Sequence, residues 1–291
     1  MIRPTNFGFN SETALSNHFQ HKTTETDISA IVRQEFDEVL KVFSNHKIAF
    51  YVFDDQQEVL PDALFSNNWI TMLPTGEVTL FPMYHQNRRG EVRMDIVDWL
   101  FSKNQSLKLI DLSQHVLNNQ FLEGTGSIVF DHFSKVAYAC ESVRTNLALF
   151  EAYCQQINYR PISFESVDLY GNPIYHTNVM MSIGEKHVLV NLESIENPIE
   201  RGMLKRSLQQ GGRELIELSH TQMNSFCGNV LEVLNQDNEP CLIMSSRAFE
   251  AFTENQLNQL QQFVKIVKVN VHTIEQVGGG GIRCVLTGLF F

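Results

Sequence analysis

The sequence predicts an α/β chain of five ββαβ modules closed into a ring, and three observations carry that expectation. Five segments have the i, i+3, i+4 apolar spacing of amphipathic helices. A short β-rich run follows each of them. The starts of the repeated elements, at Asn68, Gly126, Asn178, Asn229 and Cys284, are separated by 58, 52, 51 and 55 residues. Near-constant spacing of one element order marks a structural repeat even where the units share no sequence identity. The alternative on the pattern alone is a generic α/β domain with fortuitous spacing.

Taken in chain order, the first helix is expected over residues 28–45, with Ile28, Ile31, Val32, Phe36, Val39, Leu40 and Phe43 on one face. The second covers residues 94–103. The third follows Arg144, with Leu147, Phe150, Glu151 and Cys154. The fourth covers residues 198–210 and the fifth 246–264. The β-rich runs are residues 48–53, 107–112, 161–164, 214–218 and 266–271. Hairpins are expected over residues 69–82, 127–139, 177–190 and 229–245, turning at Thr75-Gly76, at 132–135, at Gly184-Glu185-Lys186 and at Gln236-Asp237-Asn238. The fifth element, residues 284–291, ends at the C-terminus without a second arm, which residues 1–4 are expected to supply. Closing the ring removes free sheet edges.

Composition bounds the function. With 22 basic and 33 acidic side chains the formal charge is −11, which argues against a nucleic-acid or anionic-membrane surface. At 43% hydrophobic residues the chain has ample material for a large core. No apolar run approaches the roughly 20 residues that span a bilayer, and the first residues lack a basic stretch followed by an apolar core. The five cysteines, Cys140, Cys154, Cys227, Cys241 and Cys284, are odd in number and show neither a CxxC pair nor zinc-like spacing. The expectation is one domain over residues 1–291, cytoplasmic and reduced, with neither metal nor cofactor. A homodimer is left open.

A ring of this kind gathers the starts of its first hairpin strands around a central channel, so chemistry is sought there. Gly278-Gly279-Gly280-Gly281-Ile282-Arg283-Cys284 delivers a thiol from a glycine run, which makes Cys284 a candidate nucleophile. His176 occupies the equivalent repeat position, and imidazole suits proton transfer near neutral pH. Glu123, in Glu123-Gly124-Thr125-Gly126-Ser127, is a carboxylate among small residues that let a substrate nitrogen approach; Asp131 is placed deeper along the same strand. Phe65-Ser66-Asn67-Asn68-Trp69 brings neutral hydrogen-bonding groups. Arg88, Arg89 and Arg144 are the arginines near these segments, and a guanidinium fork binds a carboxylate through two hydrogen bonds. Alone, each reads as readily as a turn, a solvated side chain or a buried thiol.

Together these strings resemble the guanidino-group-modifying enzymes, the pentein or amidinotransferase/deiminase superfamily, and within it a bacterial branch of amidinotransferase or citrulline-utilisation hydrolase type, related to arginine deiminase and dimethylarginine dimethylaminohydrolase. The matching segments are Met1-Ile2-Arg3-Pro4, PDALFSNNW from Pro61, FPMYHQNRRGE from Phe81, LEGTGS from Leu122, SVRTN from Ser142, HTN from His176 and GGGGIRC from Gly278. The resemblance implies a five-bladed α/β propeller around a central active-site channel. It implies Cys284 as nucleophile, His176 as general acid/base and Glu123 as the carboxylate that binds substrate nitrogens, with Arg88 and Arg144 as ligands of an α-carboxylate. Phe65, Asn68, Asn178 and Asp131 complete the expected substrate contacts.

One departure bears on the substrate. Arginine deiminases carry aspartates where Asn68 and Asn178 stand here. Each charge-assisted bond to a guanidinium is worth roughly 1.5–3 kcal/mol, whereas a neutral ureido group is matched by amides. The expected function is therefore a cysteine-dependent hydrolase of a C–N bond in a ureido or guanidino amino acid, tilted towards citrulline. The alternatives are an amidinotransferase that passes an amidino group to an amine, and a non-catalytic ring-shaped binding protein.

Overall fold

The computed structural model describes residues 1–55 and 60–291. It is a mixed α/β fold with five separate sheets among those residues. Four of the sheets repeat one plan. β3 (Ile70–Met72), β4 (Glu77–Leu80) and β5 (Lys108–Asp111) form the first, and β6 (Val129–Asp131), β7 (Val136–Cys140) and β8 (Arg160–Phe164) the second. β9 (Met181–Ile183), β10 (His187–Val190) and β11 (Glu214–Glu217) form the third, and β12 (Leu231–Leu234), β13 (Pro240–Ser245) and β14 (Lys265–Val269) the fourth. In each, the first two strands are an antiparallel hairpin and the last two are parallel. A parallel pair needs a long crossover, and a helix supplies it every time.

Those crossovers are Met94–Lys103, Leu147–Gln156, Pro198–Gln209 and the pair Ser246–Ala251 and Glu254–Gln261. Local chemistry fixes their starts. The Asn146 side chain accepts from Leu149 N, and Asn197 does the same for Ile199 and Glu200 with Pro198 in the first turn. The last crossover departs from the continuous helix expected over residues 246–264. Thr253 and Gln256 form a capping box, so a new helix starts there and the first ends at Ala251.

The remaining sheet pairs β1 (Ile2–Arg3) in parallel with β2 (Phe53–Asp54), and helix Ile28–Asn45 is its crossover. This corrects two expectations. Of residues 48–53 only Phe53 is in a strand, and residues 284–291 form no strand, so β1 does not pair with them. The apolar clusters join neighbouring units. Val32, Phe36, Val39 and Phe43 bury one face of the first helix against Val267, Val269 and Ile274, and Trp69, Ile96, Val97 and Leu100 are buried in a second cluster. Each such side chain contributes about 1.5–3 kcal/mol of transfer free energy. Among the described residues, no helix is long and apolar enough to cross a membrane.

Candidate active site

The sequence places the site residues at strand starts; the structure puts them on or beside single turns, ahead of a strand for Asn68, Glu123, His176 and Asn229 but not for Cys284. Asn68 ends the turn Ser66–Asn68, Glu123 precedes Gly124–Ser127, His176 precedes Thr177–Met180, and Cys284 lies within Ile282–Val285. Asn229 closes a turn through its amide to the Phe226 carbonyl at 2.9 Å. A turn swings its side chain out of the sheet's alternation, which lets polar groups from different sheets converge.

Glycine makes the convergence sterically feasible. A Cβ on Gly126 would lie 2.5 Å from Asn68 Nδ2 and 2.7 Å from the His176 ring. Gly279, at φ +63°, is in the left-handed region, and a Cβ there would lie 2.6 Å from Asn17 Nδ2.

His176 Nε2 lies 2.8 Å from Glu123 Oε2, and both side chains are buried. Burial pulls the His176 pKa down to about 4, against the pull of Glu123 and with Arg144 and Arg88 adding to the fall. For Glu123, burial opposes the charge, but Arg144 at 3.5 Å, His176 and Arg88 at 3.9 Å outweigh it and hold the carboxyl well below the usual range. The resting pair is thus a neutral imidazole and a carboxylate.

Cys284 is 3% exposed. Its Sγ receives Asn229 Nδ2 at 3.3 Å and Asn178 Nδ2 at 3.7 Å, and it makes no hydrogen bond to His176. Asn229 Nδ2 also donates to the Asn178 carbonyl at 3.1 Å, which ties the two amides together. Burial pushes the thiol pKa up, while Asn229, Arg283, Asn178 and Arg88 work the other way. The other four cysteines are buried and free as well.

The two arginines are differently engaged. Arg88 donates to both oxygens of Glu91, at 2.8 and 2.7 Å, and its third arm holds Asn68 Oδ1 at 2.8 Å. Its fork is therefore filled by a residue three positions along, not open to a carboxylate. Arg144 donates to Ser16 Oγ at 2.8 Å and to the Thr13 carbonyl at 3.1 Å, with its guanidinium over the Tyr175 ring. Arg89 instead binds the carbonyls of Met83 and Tyr84 at the surface. The Phe65 ring packs under the glycine run, where a Cβ on Gly278 would come within 2.7 Å of it. Asp131 is engaged elsewhere, accepting two 2.7 Å bonds from Arg213.

Several participants were not singled out from sequence. Asp62, inside the PDALFSNNW string, is buried 3.9 Å from Arg88 and accepts from Asn10 and Thr13; burial raises its pKa. Asn67, by contrast, was read with Asn68 as a hydrogen-bonding amide; it is fully buried with neither side-chain atom hydrogen-bonded, and Asn68 Nδ2 and Asn178 Oδ1 have no partner either. Asn229 lay at a repeat start but was given no role. Residues 10–20 had no signal. They cover the site through Ser16, through Asn17 to the Gly279 carbonyl at 3.1 Å, and through Gln20 to the Gly278 carbonyl at 3.0 Å.

The comparisons with known proteins agree with the class of site this describes, a guanidino-group-modifying centre. The chain belongs to the family described as N,N dimethylarginine dimethylhydrolase, eukaryotic, whose model matches residues 3–291. No curated protein matches it. Among solved structures it is similar to the N-terminal domain of ArgZ, an arginine dihydrolase from the ornithine–ammonia cycle in cyanobacteria, with its substrate bound. That match has a TM-score of 0.76 at 15% identity and covers all of this chain and 98% of that domain. Apo ArgZ itself matches with a TM-score of 0.74 at 17% identity, and the chain spans 40% of its length. DDAH from Pseudomonas aeruginosa complexed with citrulline matches with a TM-score of 0.67 at 14% identity, over 98% of this chain and 95% of that one. At such identities the likeness is one of fold.

Proposed function

We propose that this chain is a cysteine-dependent hydrolase that cleaves a C–N bond of a ureido or guanidino amino acid through a covalent intermediate on Cys284. One observation carries the reading. The Cys284 thiol, held by the amides of Asn178 and Asn229, and His176, paired with Glu123, are all buried and both feel the charge of Arg88. Family membership supports it, as do structural neighbours whose names specify arginine and citrulline as ligands. The reading includes a single catalytic domain over residues 1–291, with its five sheets arranged as the blades of a five-bladed propeller.

In this mechanism the thiol proton passes to His176 and sulfur attacks the central carbon of the substrate. A C–S bond forms, the C–N bond breaks, and His176 returns the proton to the departing amine. Water then replaces sulfur on the carbon and the thiol is restored. Glu123 keeps Nε2 of His176 protonated, so Nδ1 is the nitrogen that exchanges the proton. The unpartnered amide atoms of Asn67, Asn68 and Asn178 match the donors and acceptor of a neutral ureido group. Arg144 takes the α-carboxylate once Ser16 and Thr13 release it. Arg88, locked to Glu91, positions Asn68 and supports the charge of Glu123.

The test incubates wild type and Cys284→Ala with citrulline, arginine, agmatine and N-methylated arginines and measures ammonia and amine products. Ornithine and ammonia released from citrulline, citrulline with ammonia or a methylamine from the arginines, or N-carbamoylputrescine with ammonia from agmatine, is expected only with Cys284 present. Equal turnover by the Ala variant overturns the mechanism.

A further inference from the structure

The same inner segments that carry the candidate active site also line a second cavity, of about 200 Å³. Leu73, Phe130, Ile183, Leu231 and Phe290 line it, and they follow Asn68, Glu123, His176, Asn229 and Cys284 along their respective segments. Leu73, Phe130, Ile183 and Phe290 lie five to seven residues past those positions and Leu231 two past Asn229, while Arg283 is the neighbour of Cys284, so the space adjoins the segments that carry the thiol. Asp131, expected from the sequence among the substrate contacts, lines this cavity.

The charges around it are unevenly matched. Asp131 is neutralised by the two-armed contact from Arg213. Arg283 donates to the Leu286 carbonyl at 2.7 Å, and no carboxylate among the described residues is within ion-pair distance of it. Glu232 accepts the Glu185 backbone N–H at 3.2 and 3.3 Å, and its nearest candidate cation is His187 at 3.5 Å. Burial pulls the His187 pKa down to about 4, so that ring is neutral. One guanidinium and one carboxylate therefore line the same space without meeting each other.

A simple anion on Arg283 would be repelled by Glu232, and a simple cation would meet the reverse. A molecule carrying both charges a few ångströms apart satisfies both. At about 200 Å³ the cavity is below the roughly 300–1,000 Å³ of pockets that take drug-sized ligands, which suits a small amino acid. The apolar wall of Phe130, Leu231 and Phe290 provides a surface for an aliphatic side chain. We infer that this cavity is a second binding site, for a zwitterionic α-amino acid, with its carboxylate on Arg283 and its ammonium towards Glu232. Its existence does not depend on the reaction proposed at Cys284.

The test first blocks the active site by alkylating Cys284 with iodoacetamide, verified by mass, and then titrates the chain calorimetrically with L-norvaline, valerate and butylamine. Norvaline is expected to bind one per chain, at least tenfold more tightly than either single-charge analogue. Arg283→Met and Glu232→Gln are each expected to weaken it at least tenfold; the second, near-isosteric variant keeps the test decisive should the first not fold. Absence of norvaline binding overturns the site. Equal affinity for valerate overturns the zwitterion assignment, and unchanged affinity in Glu232→Gln overturns the placement.

Discussion

His176 Nε2 lies 2.8 Å from Glu123 Oε2, and the contact fixes which nitrogen of the ring carries the proton. With the imidazole neutral, a carboxylate at that distance requires the N–H on Nε2, which leaves Nδ1 as the basic atom. The pair is isolated from water, so its geometry is set by protein alone. The thiol is held separately by two amides, so nucleophile and base are oriented by different partners.

Replacing Glu123 by Gln removes the charge and the acceptor-only group that select this tautomer, since an amide can either accept from Nε2 or donate to it. Turnover is expected to fall at least about 100-fold, the lower end for general acid–base catalysis. Arg144 and Arg88 lose a buried counter-charge, so stability should fall by about 3 kcal/mol, the lower end for a broken buried pair because Arg88 keeps Glu91. Steady-state kinetics with urea unfolding checks both. Turnover within threefold of wild type would remove Glu123 from the mechanism.

How much of this was readable in advance follows from the range of each interaction. The hairpins and most of the crossover helices rest on local apolar periodicity, and helix Met94–Lys103 falls where its spacing puts it. The end of helix Ser246–Ala251 was missed because the cap at Thr253 interrupts an apolar pattern that continues across it. Cys284, His176, Glu123 and Asn68 were singled out because the repeat gathers their segments. Asp62 and the covering residues 10–20 were not, since their roles come from contacts such as Ser16 to Arg144, 128 positions apart, which leave no local pattern. Arg88 was misread for the opposite reason: its partner Glu91 is only three positions away and fills the fork expected to bind substrate.

Asn178 sets the charge of the wall facing the thiol. Its Nδ2 is 3.7 Å from Cys284 Sγ and its Oδ1 has no partner. In Asn178→Asp a carboxylate next to sulfur disfavours the thiolate, so absolute rates should fall for all substrates. The same charge favours a guanidinium over a ureido group by roughly 1.5–3 kcal/mol. The ratio of kcat/KM for arginine to that for citrulline is therefore expected to rise at least about tenfold. An unchanged ratio removes the argument from charge.

His187 supplies a pH dependence that is separate from catalysis. It is fully buried, neither ring nitrogen has a hydrogen bond, and burial lowers its pKa to about 4. The unfolded chain takes up this proton near pH 6.5 while the folded chain resists it, so the native state loses stability as pH falls from about 6.5 towards 4. Comparing wild type with His187→Gln cancels the other titrating groups. The stability of wild type relative to the variant should drop by about 1.4 kcal/mol per pH unit in that window and stay level above pH 7. Urea unfolding at pH 7.5, 6 and 5 measures it, and a constant difference refutes the assignment.

The covering residues 10–20 close the site through a few side-chain bonds to the glycine run, and those bonds should govern access to the thiol. Asn17 donates to the carbonyls of Gly278 at 3.4 Å and Gly279 at 3.1 Å, and Gln20 to Gly278 at 3.0 Å. Each such bond contributes about 0.5–1.5 kcal/mol net, so removing those of both side chains should raise the population of the open form about tenfold or more. In the double variant Asn17→Ala, Gln20→Ala, alkylation of Cys284 by iodoacetamide should speed up by that factor, because the reagent reaches a 3% exposed sulfur only when the cover lifts. The thermal midpoint should move little, since the apolar clusters beneath are untouched. An alkylation rate equal to wild type would mean that the reagent enters by another route and that residues 10–20 do not gate the site.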